Sequence, residues 1–419
     1  MNLKISKTQA LNLCQHGLEL SLCLVIFSVP VSIAMVNIGI GCSFFFWSIR
    51  KILAKDFSLP HTPINVFLVA IVLLSFLSMF NTINMKTSMG GISKIFKNVF
   101  LFLVLVDGAN NKRCLKRIIW ALFAGLALVS FDGIFQYVTG TDFIHGTPLP
   151  RGLLDEFTGA SAPRIGASTR GPNDLAIYLV TAIPLLLSLT LYYFTAKRKL
   201  VFSLIGLMAA FCLFNTHFRG AALGFIAVLA FFGLIKKDVR FAVVLIILFL
   251  VLPFLLPKTI IDWALAHLNP YDFFVEQGGR RLHWQAAINM IMAHPVLGVG
   301  VNSFSINYDR YKLPADPFSG WYAHNTYLHF AADIGLIGLA VLLSMLINII
   351  LNWKKSYGRI KDSWLKATSL GVFGGFIAFI TAGILESSLQ SSNLAVLFWF
   401  ILGLLVSVNK LGASDVNRL

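Results

Sequence analysis

Three arginines and one histidine stand where apolar sequence breaks off. Arg219 lies in Thr216-His217-Phe218-Arg219-Gly220-Ala221, a very short turn between two apolar runs. A charge at a membrane edge defaults to a functional hypothesis, although a lone arginine there can also snorkel to the headgroups. Arg280 heads Arg280-Arg281-Leu282-His283-Trp284, and Arg170 lies in Thr169-Arg170-Gly171-Pro172-Asn173-Asp174. A planar guanidinium matches phosphate oxygens bidentately. The plainer reading makes Arg280 and Arg281 anchors to anionic headgroups, and Asn173 or Asp174 a helix N-cap. His324 opens His324-Asn325-Thr326-Tyr327-Leu328, where a long polar stretch meets a helix start. An imidazole, with an ordinary pKa of about 6.5, suits proton transfer at neutral pH. Its plainer reading is an interfacial group closing a helix end.

Absences narrow the chemistry. The chain has no D-x-D, no H-E-x-x-H, no Walker loop and no Gly-rich dinucleotide turn. Asp155-Glu156 is the one adjacent carboxylate pair in its outer loops, so hard metal ligands are scarce there. His283, His294 and His324 follow no zinc-ligand spacing. The expectation is a site without metal or cofactor.

The elements that position these residues are dictated by hydropathy. Of 419 residues, 57% are hydrophobic and 12% charged, with a mean hydropathy of +0.78. Apolar runs near the roughly 20 residues needed to cross a bilayer recur along the chain. They lack period-two alternation, which selects helices over a barrel. Spans are predicted near 17–36, 37–49, 64–82, 95–108, 117–138, 174–194, 200–215, 220–235, 240–257, 325–352, 367–386 and 391–408. The fold class is an all-α polytopic membrane protein of about 12 transmembrane helices, a single domain over 1–419.

Charge supports an even count. The net charge is +16, but the basic residues form small clusters between spans, as orientation signals do, and no nucleic-acid partner is expected. With both termini cytoplasmic, most of the 34 basic residues fall on the inner side. Lys4 and Lys7 before an apolar run resemble a signal peptide, but the run is long and further spans follow, so an uncleaved first helix is expected. The five cysteines avoid the long loop, so no disulfide framework is expected. Two outer segments are long, 140–173 and 258–323. Within the second, Trp284, Ala287, Ile288, Ile291 and Met292 share a helical face, predicting an amphipathic helix along the outer interface that ends at His294-Pro295. No fixed-period repeat is visible. Gly371-Val372-Phe373-Gly374-Gly375 fits close helix packing.

This arrangement resembles the O-antigen ligase superfamily of bacterial inner-membrane proteins, which are GT-C-like glycosyltransferases. The resemblance is carried by Arg170-Gly171-Pro172-Asn173, Thr216-His217-Phe218-Arg219-Gly220, the stretch from Gly279-Arg280-Arg281 to His294-Pro295-Val296-Leu297-Gly298-Val299-Gly300, and His324-Asn325-Thr326-Tyr327-Leu328 through Asp333-Ile334-Gly335. Each piece is short; their order and spacing carry the likeness. The family more often has Glu where this chain has Asp333. The resemblance implies transfer of a glycan from undecaprenyl diphosphate to an acceptor such as lipid A-core, or to a growing glycan, at the periplasmic face. It implies His324 as the base or acceptor-orienting group and Arg219 and Arg280 as diphosphate ligands. Arg170 and Arg281 stand behind them, with Asn325, Tyr327 and Trp284 as further substrate contacts.

The rival readings are an O-antigen polymerase, a protein O-oligosaccharyltransferase and a transporter or flippase. A transporter is expected to place its site at the midplane between repeated halves; here the candidates gather on one face, and mid-span acids such as Asp132 and Glu386 are few. The topology is open to test. A cysteine placed at Ser319 in a cysteine-free background should react with an impermeant maleimide in cells whose outer membrane alone is permeabilised. Reaction only after the inner membrane is opened would invert the topology.

Overall fold

The computed structural model describes residues 6–150, 163–237, 239, 240, 243, 246, 247, 280–314 and 316–414. Most of the expected span 240–257, the pair Asp155-Glu156 and the 258–279 part of the long loop lie outside the described residues.

Among the described residues the regular structure is helical, apart from one isolated bridge between Thr141 and Pro148. Hydrocarbon offers no partner for backbone N–H and C=O groups, so each segment closes its own ladder. The helices are α1 (Lys7–Ser28), α2 (Ile33–Ala54), α3 (Asn65–Ser78), α4 (Met85–Gly108), α5 (Lys112–Thr139), α6 (Pro172–Tyr192), α7 (Ala196–Asn215) and α8 (Arg219–Lys236). After the undescribed stretch come α9 (Arg280–Ala293), α10 (Phe304–Tyr311), α11 (Thr326–Tyr357), α12 (Ser363–Ala382) and α13 (Ser392–Ser414). Ten of these are long and apolar enough to cross a membrane; α3, extended by a 3-10 turn at Met79–Asn81, is shorter.

Several edges differ from the hydropathy reading. The first span begins at Lys7, where Ser6 and Gln9 form a reciprocal capping box, and the first turn falls at 29–32 around Pro30. The second span is consequently a full-length helix. The fourth begins at Met85, ten residues early, because Asn84 accepts the Thr87 N–H and the lysines beyond it do not interrupt the ladder. The eleventh ends at Ala382, which leaves Glu386 outside the span.

Helix α12 is the hub, packing on α6, α8 and α13. Its contact with α6 needs glycine, since a Cβ on Gly375 would stand 2.3 Å from the Thr181 carbonyl oxygen. At one end of the bundle, basic side chains meet their acids: Asp107 with Arg50 and Lys51, Glu19 with Arg117 at 2.6 Å, and Asp362 with Lys112. The other end carries α9 and α10 on α11, around a small core of Ala286, Ala287, Met290, Phe304 and Tyr308. The buried stripe of α9 is His283, Ala286, Ala287 and Met290. The face expected along the outer interface is a different one, and its Ile288 and Met292 are exposed.

The segment 294–300 is a backbone clasp on a break in α11. Gly335 has φ 83° and ψ 175° in mid-helix. The carbonyls released there are taken by Val299 N–H to Ala332 at 2.8 Å and Gly300 N–H to Asp333 at 3.1 Å, while Leu336 N–H donates to Pro295 at 2.8 Å. The Asp333 carboxylate then accepts N–H bonds from Asn302, Ser303 and Phe304 at the start of α10. A Cβ on Gly335 would lie 2.1 Å from the Val296 carbonyl oxygen. Gly335→Ala should therefore cost on the order of 3 kcal/mol or more and sharply reduce monodisperse protein extracted in detergent. Gly41→Ala, at a helical position with nothing within 4 Å, should leave that yield unchanged.

Candidate functional site

At the end of the bundle remote from the paired basic residues, a hydrogen-bonded chain joins four segments. Thr216, in the turn between α7 and α8, accepts from Arg164 Nε at 2.9 Å. Arg164 Nη2 donates to Asn173 Oδ1 at 2.8 Å, and Asn173 Nδ2 donates to Glu386 Oε2 at 2.6 Å. Glu386 Oε1 lies 3.0 Å from His324 Nδ1. A carboxylate accepts and does not donate, so the imidazole proton sits on Nδ1 and leaves Nε2 as the basic lone pair.

Local sequence explains why these groups meet. Asn325 caps α11, its side-chain oxygen accepting from Tyr327 and Leu328 N–H, both at 2.9 Å. The Thr326 hydroxyl donates to the Glu386 carbonyl at 2.7 Å and accepts from Ser388 N–H at 3.0 Å, stapling the α12–α13 turn to the start of α11. Tyr327 OH donates to the Ile380 carbonyl at 2.7 Å. Three residues after His324 therefore fix its position relative to Glu386. On the other side, Ile165 N–H donates to the Asn215 carbonyl and brings Arg164 to the end of α7.

Burial alone would raise the Glu386 carboxyl, but the hydrogen bond and charge of His324, with bonds from Ser387 N–H and Asn173, hold it below its ordinary value. Burial, then the nearby Arg280 charge, lowers the Arg164 guanidinium, with Glu386 opposing. Arg164 thus stands between a second guanidinium and a carboxylate that offset each other's effect on it. A cavity of about 330 Å³ opens here, lined by Arg164, Arg170, Asn173, Tyr322, Glu386 and Gln390 among others.

The expected residues are distributed unevenly around this cavity. His324 is at its edge, bonded to a lining residue; Arg170 is exposed and lines the cavity itself. Arg280 opens α9 within electrostatic reach of Arg164. Arg219 is half-buried at the first position of α8, three residues beyond Thr216. Arg281 is exposed on α9. Asn325 and Tyr327 spend their polar groups on helix capping and α12, and Trp284 is half-buried against the main core. Three site residues escaped the sequence reading: Arg164, Asn173 as a bridge, and Glu386. The last was read as a mid-span acid because it comes only a few residues after apolar sequence. The polar run Glu386-Ser387-Ser388 is the signal that could have placed it.

His283 lies behind the pair. Its ring packs 5.4 Å from His324 and 5.5 Å from Trp321, between centroids, and neither nitrogen has a hydrogen-bond partner among the described residues. Burial, then the charge of His324, pushes its pKa down to about 4.

Residues 204–343 match a family model described as O-Antigen ligase, so the chain carries an O-antigen ligase family domain. The matched stretch holds Arg219, Arg280 and His324; Arg164, Asn173 and Glu386 fall on either side of it. No curated protein matches the chain. The family and the helices together give a membrane protein of the O-antigen ligase or polymerase type, a glycosyltransferase at that level.

The two histidines should separate cleanly. His283 is neutral when folded and binds a proton below about pH 6.5 when unfolded, so its burial favours the unfolded state increasingly between 6.5 and about 4. His283→Phe should remove that acid sensitivity, measured as melting temperature against pH in detergent, and keep surface polysaccharide. An unchanged acid profile would show that His283 does not titrate as its burial requires.

Proposed function

We propose that this protein transfers a glycan from undecaprenyl diphosphate to an acceptor hydroxyl, on lipid A-core, at the periplasmic face of the bacterial inner membrane. The observation that carries the reading is the His324–Glu386 pair beside a cavity lined by Arg164 and Arg170.

In this scheme the acceptor O–H gives its proton to His324 Nε2 as the oxygen bonds to the anomeric carbon. The bond from that carbon to the phosphate oxygen breaks, and the electron pair leaves with the lipid diphosphate. Glu386 holds the tautomer and stabilises the imidazolium. The leaving diphosphate gains negative charge, which the arginines of the site offset in a partly dry setting. Arg219 and Arg280 act as its ligands, with Arg164, Arg170 and Arg281 around them, and no metal is needed. The orientation follows the charges: the end with paired Arg50, Lys51, Lys112 and Arg117 faces the cytoplasm, with both termini, and the cavity faces the periplasm.

His324→Ala should lower transfer by roughly 100-fold or more while leaving protein level intact. Glu386→Gln should lower kcat by about 10- to 1000-fold with little change in KM, since an amide can stabilise the wrong tautomer. Arg219→Lys and Arg280→Lys should each impair transfer severely, because an ammonium cannot reproduce the bidentate fork, and Arg281→Lys less so. Undiminished surface polysaccharide in complemented cells carrying His324→Ala would remove the histidine from the mechanism.

A further inference from the structure

We propose that Lys94 and Lys97 of α4 form a subsite that binds the diphosphate headgroup of a lipid-linked donor between the bilayer and the cavity at Arg170. The inference rests on the donor reading above and extends it to the route of entry.

The start of α4 lies at the cavity end of the bundle, where Ser88 Oγ contacts Ser303 Oγ at 3.0 Å and Asn302 Nδ2 donates to the Thr87 carbonyl. Lys94 and Lys97 are one turn apart, about 14 and 18 Å along the helix from that start. Cations inside a span are expensive and default to a functional reading. A lysine that merely snorkels extends past its helix end. Lys94 instead donates to Asn302 Oδ1 at 3.3 Å, and stands within electrostatic reach of Arg170 and Asp333. Lys97 lies within reach of Lys94 and donates to Asn37 Oδ1 at 3.1 Å.

Charge compensation differs from that at the opposite end. There Lys51 and Lys112 bond carboxylates. Here both hydrogen bonds are to amide oxygens, and Asp333, the acid facing Lys94, is engaged by three backbone N–H groups and Gln390. Arg170, Lys94 and Lys97 therefore form a series of positive charges, with Asp174 within electrostatic reach of Arg170 and Asp333 within reach of Lys94, but no carboxylate hydrogen-bonded to either lysine among the described residues. Met89 and Phe96, exposed at other positions around α4, give the same helix an apolar border suited to an acyl or prenyl chain. An amphiphile with a doubly charged head and a long tail fits this juxtaposition: the head steps along the cations while the tail stays in lipid.

The test uses full-length protein in phosphatidylcholine nanodiscs doped with undecaprenyl diphosphate, with bound lipid read by native mass spectrometry and phosphatidylglycerol as competitor. The Lys94→Gln/Lys97→Gln variant should retain undecaprenyl diphosphate roughly 10- to 30-fold less tightly. The corresponding double arginine variant should stay near wild type, and phosphatidylglycerol should compete poorly. Equal retention by wild type and the glutamine variant would overturn the subsite and leave the donor reading standing. Equal loss of both lipids would make it a general anionic-phospholipid surface, which also overturns it. Wild-type protein that does not prefer the diphosphate lipid would overturn subsite and donor reading together.

Discussion

A carboxylate withdrawn from water must find partners for its charge, and Glu386 imposes that requirement on four separate parts of the chain. It needs Asn173 from the start of α6, His324 from before α11 and its neighbouring Ser387 N–H. Asn173 is in turn held by Arg164, which reaches the α7–α8 turn. Each link is a side chain whose polar atom would otherwise be stranded at the membrane end of a helix. Ionised and paired, Glu386 does two things at once: it ties α6, α11 and the α12–α13 turn together, and it decides which imidazole nitrogen carries the proton. The stability of this corner and the tautomer of His324 depend on the same interaction.

The glycine-rich pieces have a different task. The segment 294–300 lies against the interruption at Gly335 and supplies the N–H and C=O groups that the broken helix no longer supplies to itself. Asp333 extends the arrangement by capping α10, so one short acid fixes the backbone of 302–304. The upper part of α11, which starts with the residues after His324, is thereby braced by 294–304 as well as by the α12–α13 turn. Pieces of sequence that look alike as short motifs thus divide in their placement: the glycines brace, while Arg170 lines the cavity and His324 bonds to a residue that does.

Most of the helical architecture was legible because hydrocarbon tolerates few alternatives, and apolar length reports it directly. Edges were less legible. The capping box at Ser6 and Gln9 and the Asn84 cap set where α1 and α4 begin, and neither contributes to hydropathy. On α9, Ile288 and Met292 of the face expected along the outer interface are left exposed by the protein, while the packed stripe, which hydropathy did not mark, includes His283. At the site, His324 and Arg170 stood out because polarity changes abruptly around them. Arg164 sits in an irregular segment with no local pattern, and Asn173 offered a simple capping role that it does not perform. Their roles exist only in the tertiary contacts, which nothing in their sequence spacing encodes.

Backbone conformation at the two turns of the site points the same way as the side-chain contacts. His324 has φ 47° and His217 has φ 52°, both in the left-handed region where a side chain costs about 1 kcal/mol or more relative to glycine. Glycine would relax either turn. At His324 the strained conformation is held by the next three residues: Asn325 accepts two N–H bonds, and Thr326 and Tyr327 anchor on the α12–α13 side. At His217 it lies between Thr216, bonded to Arg164, and Arg219 at the first position of α8. A residue kept in a conformation that disfavours its side chain, and surrounded by contacts that fix the turn, implies that the side chain itself is needed. For His324 that side chain is the imidazole at Glu386, and a glycine there would leave the buried carboxylate without it.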